Sequence, residues 1–250
     1  MADVALPLSP RTAALLVVGD EVLSGDVPDE NTPYLTRRLW ELGIQTERIV
    51  VLPDRLDEIV AEIRALVARH DYLFVTGGIG PTHDDVTRAA VATALGRPLE
   101  RHAGAAATLA DDYGAGITRA ETAMAELPQG ADLLRGSRQV AFGFRVGSVF
   151  VFPGVPGLMA DIFETTAEQL LSSPFFKRTV WVGGKEGDFS ETLAAIQGTH
   201  TSVAIGSYPV FVAGRYRVKL IVRARDLAAL DAAVAAIETE LRLAEPPAEA

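Results

Sequence analysis

Residues 12–18, 72–75 and 148–152 are short β-rich runs with almost no polar residue in them, and this constrains the fold more than any other property of the chain. A strand that is apolar at successive positions is buried on both faces, which is the habit of parallel sheets covered by helices. The segments between them agree. Residues 31–42 carry a capping residue, an early proline at Pro33, leucines at 35, 39 and 42, and Gly43 as a stop, the pattern of a helix with one apolar stripe. Residues 44–52 read as a strand, and 57–69 as a helix with Ile59, Ile63, Leu66 and Val67 facing inward. The order β-α-β-α-β is complete by residue 76. A helix follows over residues 85–95 and one or two more within the alanine-rich 101–124, then the strand at 148–152 and a helix through Leu171.

Ser172-Ser173-Pro174 marks a change of pattern. Strands at 179–182, 202–205 and 216–222 and helices at 188–196 and 227–243 make a β-α-β-β-α unit, followed by a tail from Glu245 expected to be unordered. The predicted architecture is a three-layer α/β/α sandwich with a mostly parallel sheet over residues 1–172 and a small α+β subdomain over 173–250.

In open parallel sheets a ligand sits beyond the carboxyl ends of the strands, where the strand order reverses. Three segments follow strand ends. Residues 76–87 read Thr-Gly-Gly-Ile-Gly-Pro-Thr-His-Asp-Asp-Val-Thr; Gly19 is followed by Asp20 and Glu21; and Phe152 is followed by Pro153 and Gly154. Capping and turning need one aspartate and one glycine, whereas the first of these segments supplies two and three. The surplus points to a ligand: Gly77, Gly78 and Gly80 for close backbone approach, and the following helix for an anion. Two carboxylates, Asp84 and Asp85, beside an anion make sense with a divalent cation between them, to which Asp20 and Glu21 are further candidate ligands. Thr82, Asn31 and His83 are candidate ligand donors, although a turn hydroxyl, a helix cap and a solvated loop histidine are the simpler readings. The motif lacks the third glycine of a dinucleotide fingerprint and follows the third strand; it also lacks the Gly-Lys-Ser/Thr of a P-loop.

Composition excludes other chemistries. The chain has no cysteine, hence no disulfide and no thiolate site. A formal net charge of −10 without a basic, aromatic-interleaved cluster argues against nucleic acid as a partner. Neither residues 1–10 nor any apolar stretch reads as a leader or as the ~20 residues needed to cross a bilayer, so no membrane partner and a cytoplasmic location are expected.

Asp20-Glu21 with Asn31, the 76–87 motif and Phe152-Pro-Gly-Val-Pro156 together resemble the molybdopterin-binding domain family, which includes molybdenum-cofactor biosynthesis proteins of the MogA and MoeA type and the N-terminal part of CinA. The match is closest to the molybdopterin-binding-like domain of eukaryotic FAD synthases, and it extends over residues 12–243 through Gly206-Ser-Tyr-Pro209 and the strand at 216–222. The resemblance implies a homo-oligomer that holds a small phosphorylated pterin or dinucleotide, with a divalent cation (Mg or similar) near Asp84 and Asp85, and molybdopterin as one possible ligand. It implies metal-dependent hydrolysis of a dinucleotide such as FAD or ADP-ribose, with Asp85 and Asp84 as the catalytic residues. A non-catalytic pterin or metabolite binder, and a structural or regulatory protein with a decayed site, are the alternatives. No amidohydrolase or adenylyltransferase module follows in the sequence, so neither activity is carried over, and Glu121-Thr-Ala-Met and Val140-Ala-Phe-Gly-Phe144 depart from the CinA pattern.

Overall fold

In the computed structural model, residues 10–138, 141–170, 172–212 and 214–247 are described. The chain divides into two units, one ending at Ser173 and one beginning at Pro174.

The first unit is built on a six-stranded sheet in the order β2-β1-β3-β8-β7-β6. Its strands are β1 (Arg11–Val18), β2 (Ile44–Leu52), β3 (Tyr72–Thr76), β6 (Asp132–Leu134), β7 (Gly143–Val146) and β8 (Val149–Phe152). The first three and β8 run parallel; β7 is antiparallel to β8 and β6 to β7. A separate two-stranded pair joins β4 (Leu99–Arg101) to β5 (Glu126–Pro128). The apolar runs are buried on both faces, as expected. Ala14, Leu16, Val18, Leu73, Val75, Val149 and Val151 face one core, with α3 (Leu56–Val67), α4 (Thr87–Ala94) and α5 (Ala103–Tyr113). Ala13, Leu15, Phe74, Phe150 and Phe152 alternate onto the other, with α2 (Asn31–Glu41) and α7 (Pro156–Ala167). Phe74 anchors that second layer, its ring 5.2 Å from Phe150 and 6.0 Å from Phe163. Two five-residue helices, α1 (Asp20–Ser24) and α6 (Arg119–Ala123), complete the unit.

Several boundaries move for identifiable reasons. The helix after the glycine motif starts at Thr87, leaving Asp85 in the loop. Asn31 is not the cap of α2: the Thr32 amide donates to Asp29 Oδ1 at 3.0 Å, and the Asn31 side chain points elsewhere. Helix α7 ends at Ala167 and a 3-10 turn covers Glu168–Leu170; Leu171 lies outside the described residues. At the boundary of the unit the chain is fastened back: the Ser172 amide donates to Leu42 O (3.2 Å), the Arg11 amide to Ser172 Oγ (3.3 Å), and Gly43, at φ 79°, lies where a Cβ would come 2.1 Å from Ser173 O.

The second unit is a three-stranded antiparallel sheet in the order β10-β11-β9, with β9 (Phe176–Gly183), β10 (Val203–Val212) and β11 (Arg215–Ala224). Helices α8 (Ser190–Thr199) and α9 (Leu227–Glu240) pack on one face through Ile196, Leu230, Ala233 and Ile237. Strand β10 runs through Pro209, beyond the predicted end, because it is an edge strand and can spare one amide. The tail is held as far as Glu245, whose carbonyl accepts from Arg217 Nη1 (2.8 Å), while the Ala244 amide donates to Trp181 O (2.8 Å). Residues 248–250 of the expected unordered tail, Val140, and the N-terminal residues 1–9 lie outside the described residues. Among the described residues no helix is long and apolar enough to cross a membrane.

Candidate functional site

After β1 the chain goes to β2 on one side and then to β3 on the other, so the strand order reverses between β1 and β3. The glycine loop leaves from that point. Gly77 donates its N–H to Phe152 O (3.2 Å) and Gly19 donates to Leu52 O (3.1 Å), which ties the carboxyl ends of four strands together. The glycines have a structural purpose of their own. A Cβ on Gly77 (φ 95°) would lie 2.1 Å from Val18 O, one on Gly78 (φ 65°) 2.3 Å from Thr87 Oγ1, and one on Gly80 2.8 Å from Asp85 Oδ2. They are required by the close approach of the chain to itself, and that packing shapes the loop.

Asp85 holds the same loop. Its Oδ1 accepts from the Gly80 N–H and its Oδ2 from the Thr82 N–H, both at 2.7 Å, and the Thr82 hydroxyl donates to Oδ2 as well. Arg88, the second residue of α4, completes the brace by donating to Ile79 O and, at 3.0 Å, to Gly80 O. Burial pushes the Arg88 guanidinium below its ordinary pKa, and the nearby Asp85 opposes that. The Gly80 and Thr82 amides are therefore committed to Asp85 within the loop. Asp84 is open to solvent, with its side chain 57% exposed. The Thr82 hydroxyl, its own amide and His83 hold the Asp84 carboxyl below the usual range. His83 is 97% exposed, with Nδ1 3.9 Å from Asp84 Oδ1.

The acidic residues gather around one that sequence reasoning missed. Asp54, just past β2, accepts the Asp20 N–H on Oδ2 at 2.9 Å. Its carboxyl is pushed up, first by burial, then by the charges of Glu21, Asp20 and Asp84, while the Asp20 amide opposes the shift. Asp20, Glu21 and Asp84 thus lie near enough to Asp54 for their charges to reach it, an acidic rim, while Asp85 is tied into the loop. Among the described residues no three His, Cys, Asp or Glu are arranged to hold a metal ion. The rim nonetheless consists of hard oxygen donors. Magnesium usually takes one or two carboxylates, several waters and the phosphates of a substrate, so these residues fit an ion whose site a bound phosphate completes.

Beside the glycine loop lies a cavity of about 620 Å³. Gly78, Ile79, Gly80 and Asp85 form one wall, Pro153, Gly154, Val155 and Leu158 the second, and Leu109, Asp112, Tyr113, Met124, Ala141 and Phe142 the third. The size suits a small organic ligand, and the lining is mainly apolar. Gly154 is held by Asn31, whose Nδ2 donates to its carbonyl at 2.7 Å. The other atom of that buried amide, Oδ1, has no hydrogen-bond partner among the described residues, nor do Thr76 Oγ1 and Thr87 Oγ1. Gly78, Gly80 and Asp85 of the loop motif lie in the first wall, and Pro153 and Gly154 in the second. The third comes from the poorly periodic alanine-rich stretch and from Phe142, where no local signal marks a site.

Comparison with known proteins divides the chain as the structure does. Residues 14–173 match the model of a family described as "probable molybdopterin binding domain", and residues 174–245 that of "FAD synthase, middle domain". A protein of Archaeoglobus fulgidus is 31% identical over 198 residues, which cover 78% of this chain and 84% of that protein. A probable FAD synthase of Caenorhabditis elegans is 30% identical over 91% of the chain, and a CinA-like protein of Anaeromyxobacter sp. (strain K) is 39% identical over 57%. The aligned regions span 49% of the former and 36% of the latter. The crystal structure of the protein CinA from Thermoplasma acidophilum, whose function is described as unknown, superposes with a TM-score of 0.60 at 28% identity, covering 64% of this chain and 99% of that one.

Proposed function

The chain belongs to the molybdopterin-binding domain family, with a FAD-synthase-type middle domain behind it, and on that premise we propose that its first unit is a divalent-metal-dependent dinucleotide pyrophosphatase acting on a substrate of the FAD or ADP-ribose type. The observation that carries this reading is that the glycine loop both walls an apolar cavity of about 620 Å³ and carries Asp84, one of the carboxylates that gather around Asp54. The cavity takes a flat ring system; the diphosphate lies across the loop towards the rim. Asp84 with Asp20 or Glu21 would hold the cation, which when bound neutralises the diphosphate and acidifies a coordinated water.

The chain's own groups do the rest. Asp54 has a raised proton affinity and takes a proton from the attacking water. Water adds at one phosphorus, the P–O–P bridge breaks, and each half leaves as a phosphate monoester, so FAD would yield FMN and AMP. Asp85, Arg88 and Gly77 keep the loop in shape, which makes Asp85 a positioning residue. Asn31 holds Gly154 and with it the second wall. The protein acts as a homo-oligomer in the cytoplasm.

A second reading, a binder of molybdopterin or another metabolite without turnover, draws on the commitment of Asp85 to the loop. A hydrolysis screen over FAD and ADP-ribose with Mg²⁺ or Mn²⁺, run with and without EDTA, separates the two. EDTA-sensitive formation of two monophosphates, abolished in Asp84→Asn, supports hydrolysis. Tight calorimetric binding with the ligand recovered intact and no turnover replaces it with the binder.

A further inference from the structure

Residues 174–250 contain nine Lys and Arg against nine Asp and Glu, so the formal charge of −10 belongs entirely to residues 1–173. Within the second unit the charges are also segregated. Strands β9, β10 and β11 contain six Lys or Arg and no Asp or Glu. Where β11 begins and β9 ends, a cavity of about 940 Å³ opens, lined by Lys185, Arg215, Arg217 and Arg242 together with Tyr216 and the Gly183-Gly184 pair.

Four cations converging on a concavity repel one another unless something anionic lies among them. The chain does little to neutralise them. None of the four forms an ion pair with a carboxylate among the described residues. Two acids share the lining, and Asp188 is engaged in accepting the Lys185 main-chain N–H at 2.8 Å. Arg217 reaches the carbonyl of Glu245, which fixes its position but leaves its charge. The floor is backbone: Gly184, at φ 110°, would place a Cβ 2.9 Å from Asp188 Oδ2, so only glycine is tolerated there. Beside the cations, Tyr216 presents a ring that is 47% exposed, stacked obliquely on Phe211 at 4.7 Å, with Lys185 Nζ 5.4 Å from its centroid.

We propose that this cavity binds a nucleoside diphosphate or triphosphate, with Lys185, Arg215, Arg217 and Arg242 on the phosphates and Tyr216 against the base. Guanidinium groups match phosphate oxygens in pairs, an aromatic face suits any base, and the volume accommodates both halves. The site requires no metal, because the protein supplies the positive charge. That separates it from the first unit, whose acidic rim repels an anion when no cation is present.

The test is calorimetric titration of the full chain in EDTA with ADP, pyrophosphate and adenosine, at two salt concentrations. Saturable ADP binding that weakens with salt, weaker pyrophosphate binding and no adenosine binding are expected. Arg215→Gln with Arg242→Gln should weaken ADP at least tenfold, with the melting temperature and metal-dependent hydrolysis unchanged. Tyr216→Ala should weaken ADP while leaving pyrophosphate as it was. Absence of ADP binding by the wild type, or an unchanged ADP affinity in the double variant, overturns the proposal. A single-stranded oligonucleotide that binds more tightly than ADP and is lost in the same variant also overturns it, in favour of a nucleic-acid track along β11. If hydrolysis by the first unit fails while this binding holds, the two sites are judged separately.

Discussion

Asp85→Asn distinguishes a residue that shapes the loop from one that performs chemistry, and the two roles predict different measurements. In the wild type the carboxylate receives three hydrogen bonds: the Gly80 N–H on Oδ1, and the Thr82 N–H and hydroxyl on Oδ2. Asparagine has a single acceptor oxygen. Its best placement keeps that oxygen towards Thr82 and turns the NH₂ towards the Gly80 N–H, donor against donor. One charge-assisted bond is lost outright, about 1.5–3 kcal/mol, and the other two weaken because the charge is gone. With a tenfold change for every ~1.4 kcal/mol, opening of the loop becomes about 10- to 100-fold more frequent. Hydrogen exchange of the Gly80 and Thr82 amides reads this directly, and it should rise by that factor while exchange in β1 and β3 stays the same. Asp85→Ala, which removes all three bonds, should rise further. If turnover disappears in Asp85→Asn while both amides exchange at the wild-type rate, the bracing role is wrong and Asp85 acts on the ligand.

Gly77→Ala must place a Cβ against Val18 O at a φ of 95°, so a loss of about 3 kcal/mol or more in urea unfolding of the first unit is expected. Phe74→Ala empties the centre of the aromatic layer made with Phe150 and Phe163, at about 3–5 kcal/mol, and the same titration checks it. The Asp54 carboxyl is raised in the folded state, so its protonated form is the one the fold favours. The stability it contributes is full below the unfolded value of about 3.9 and is lost as pH rises through the folded value. Asp54→Asn should therefore melt higher than the wild type at pH 7 and no differently below about pH 4, while losing turnover at both; equal melts across the range would contradict the crowding of the rim.

The sandwich was legible because the same residues that fill β1, β3 and β8 leave no polar face. Strands β6 and β7 were not foreseen, since three or four residues between turns carry no period to detect. The site was half legible. Asp20, Glu21, Asp84, Pro153 and Gly154 stand at strand ends, where the sequence pattern directs attention. The bracing of the loop by Asp85 was not legible, because the sequence cannot tell a carboxylate that points out of a turn from one that closes it. Asp54 follows an ordinary Leu-Pro and precedes a helix, the position of a common cap, and only the three-dimensional approach of Asp20 sets it apart. Net charge was the least informative quantity: summed over the chain it hid a second unit whose sheet has no acid at all.

The fastening of Ser172 to Leu42 and Arg11 has a practical meaning. Arg11 opens β1 and Gly19 follows its end, so the knot lies at the opposite pole of the sheet from the glycine loop, about 25 Å away for eight residues of strand. The seam at 173/174 is thus remote from the cavity and the rim of the first unit. A protease site or a reporter protein inserted there should spare them, which makes this junction a natural place to uncouple the two halves and question each in turn.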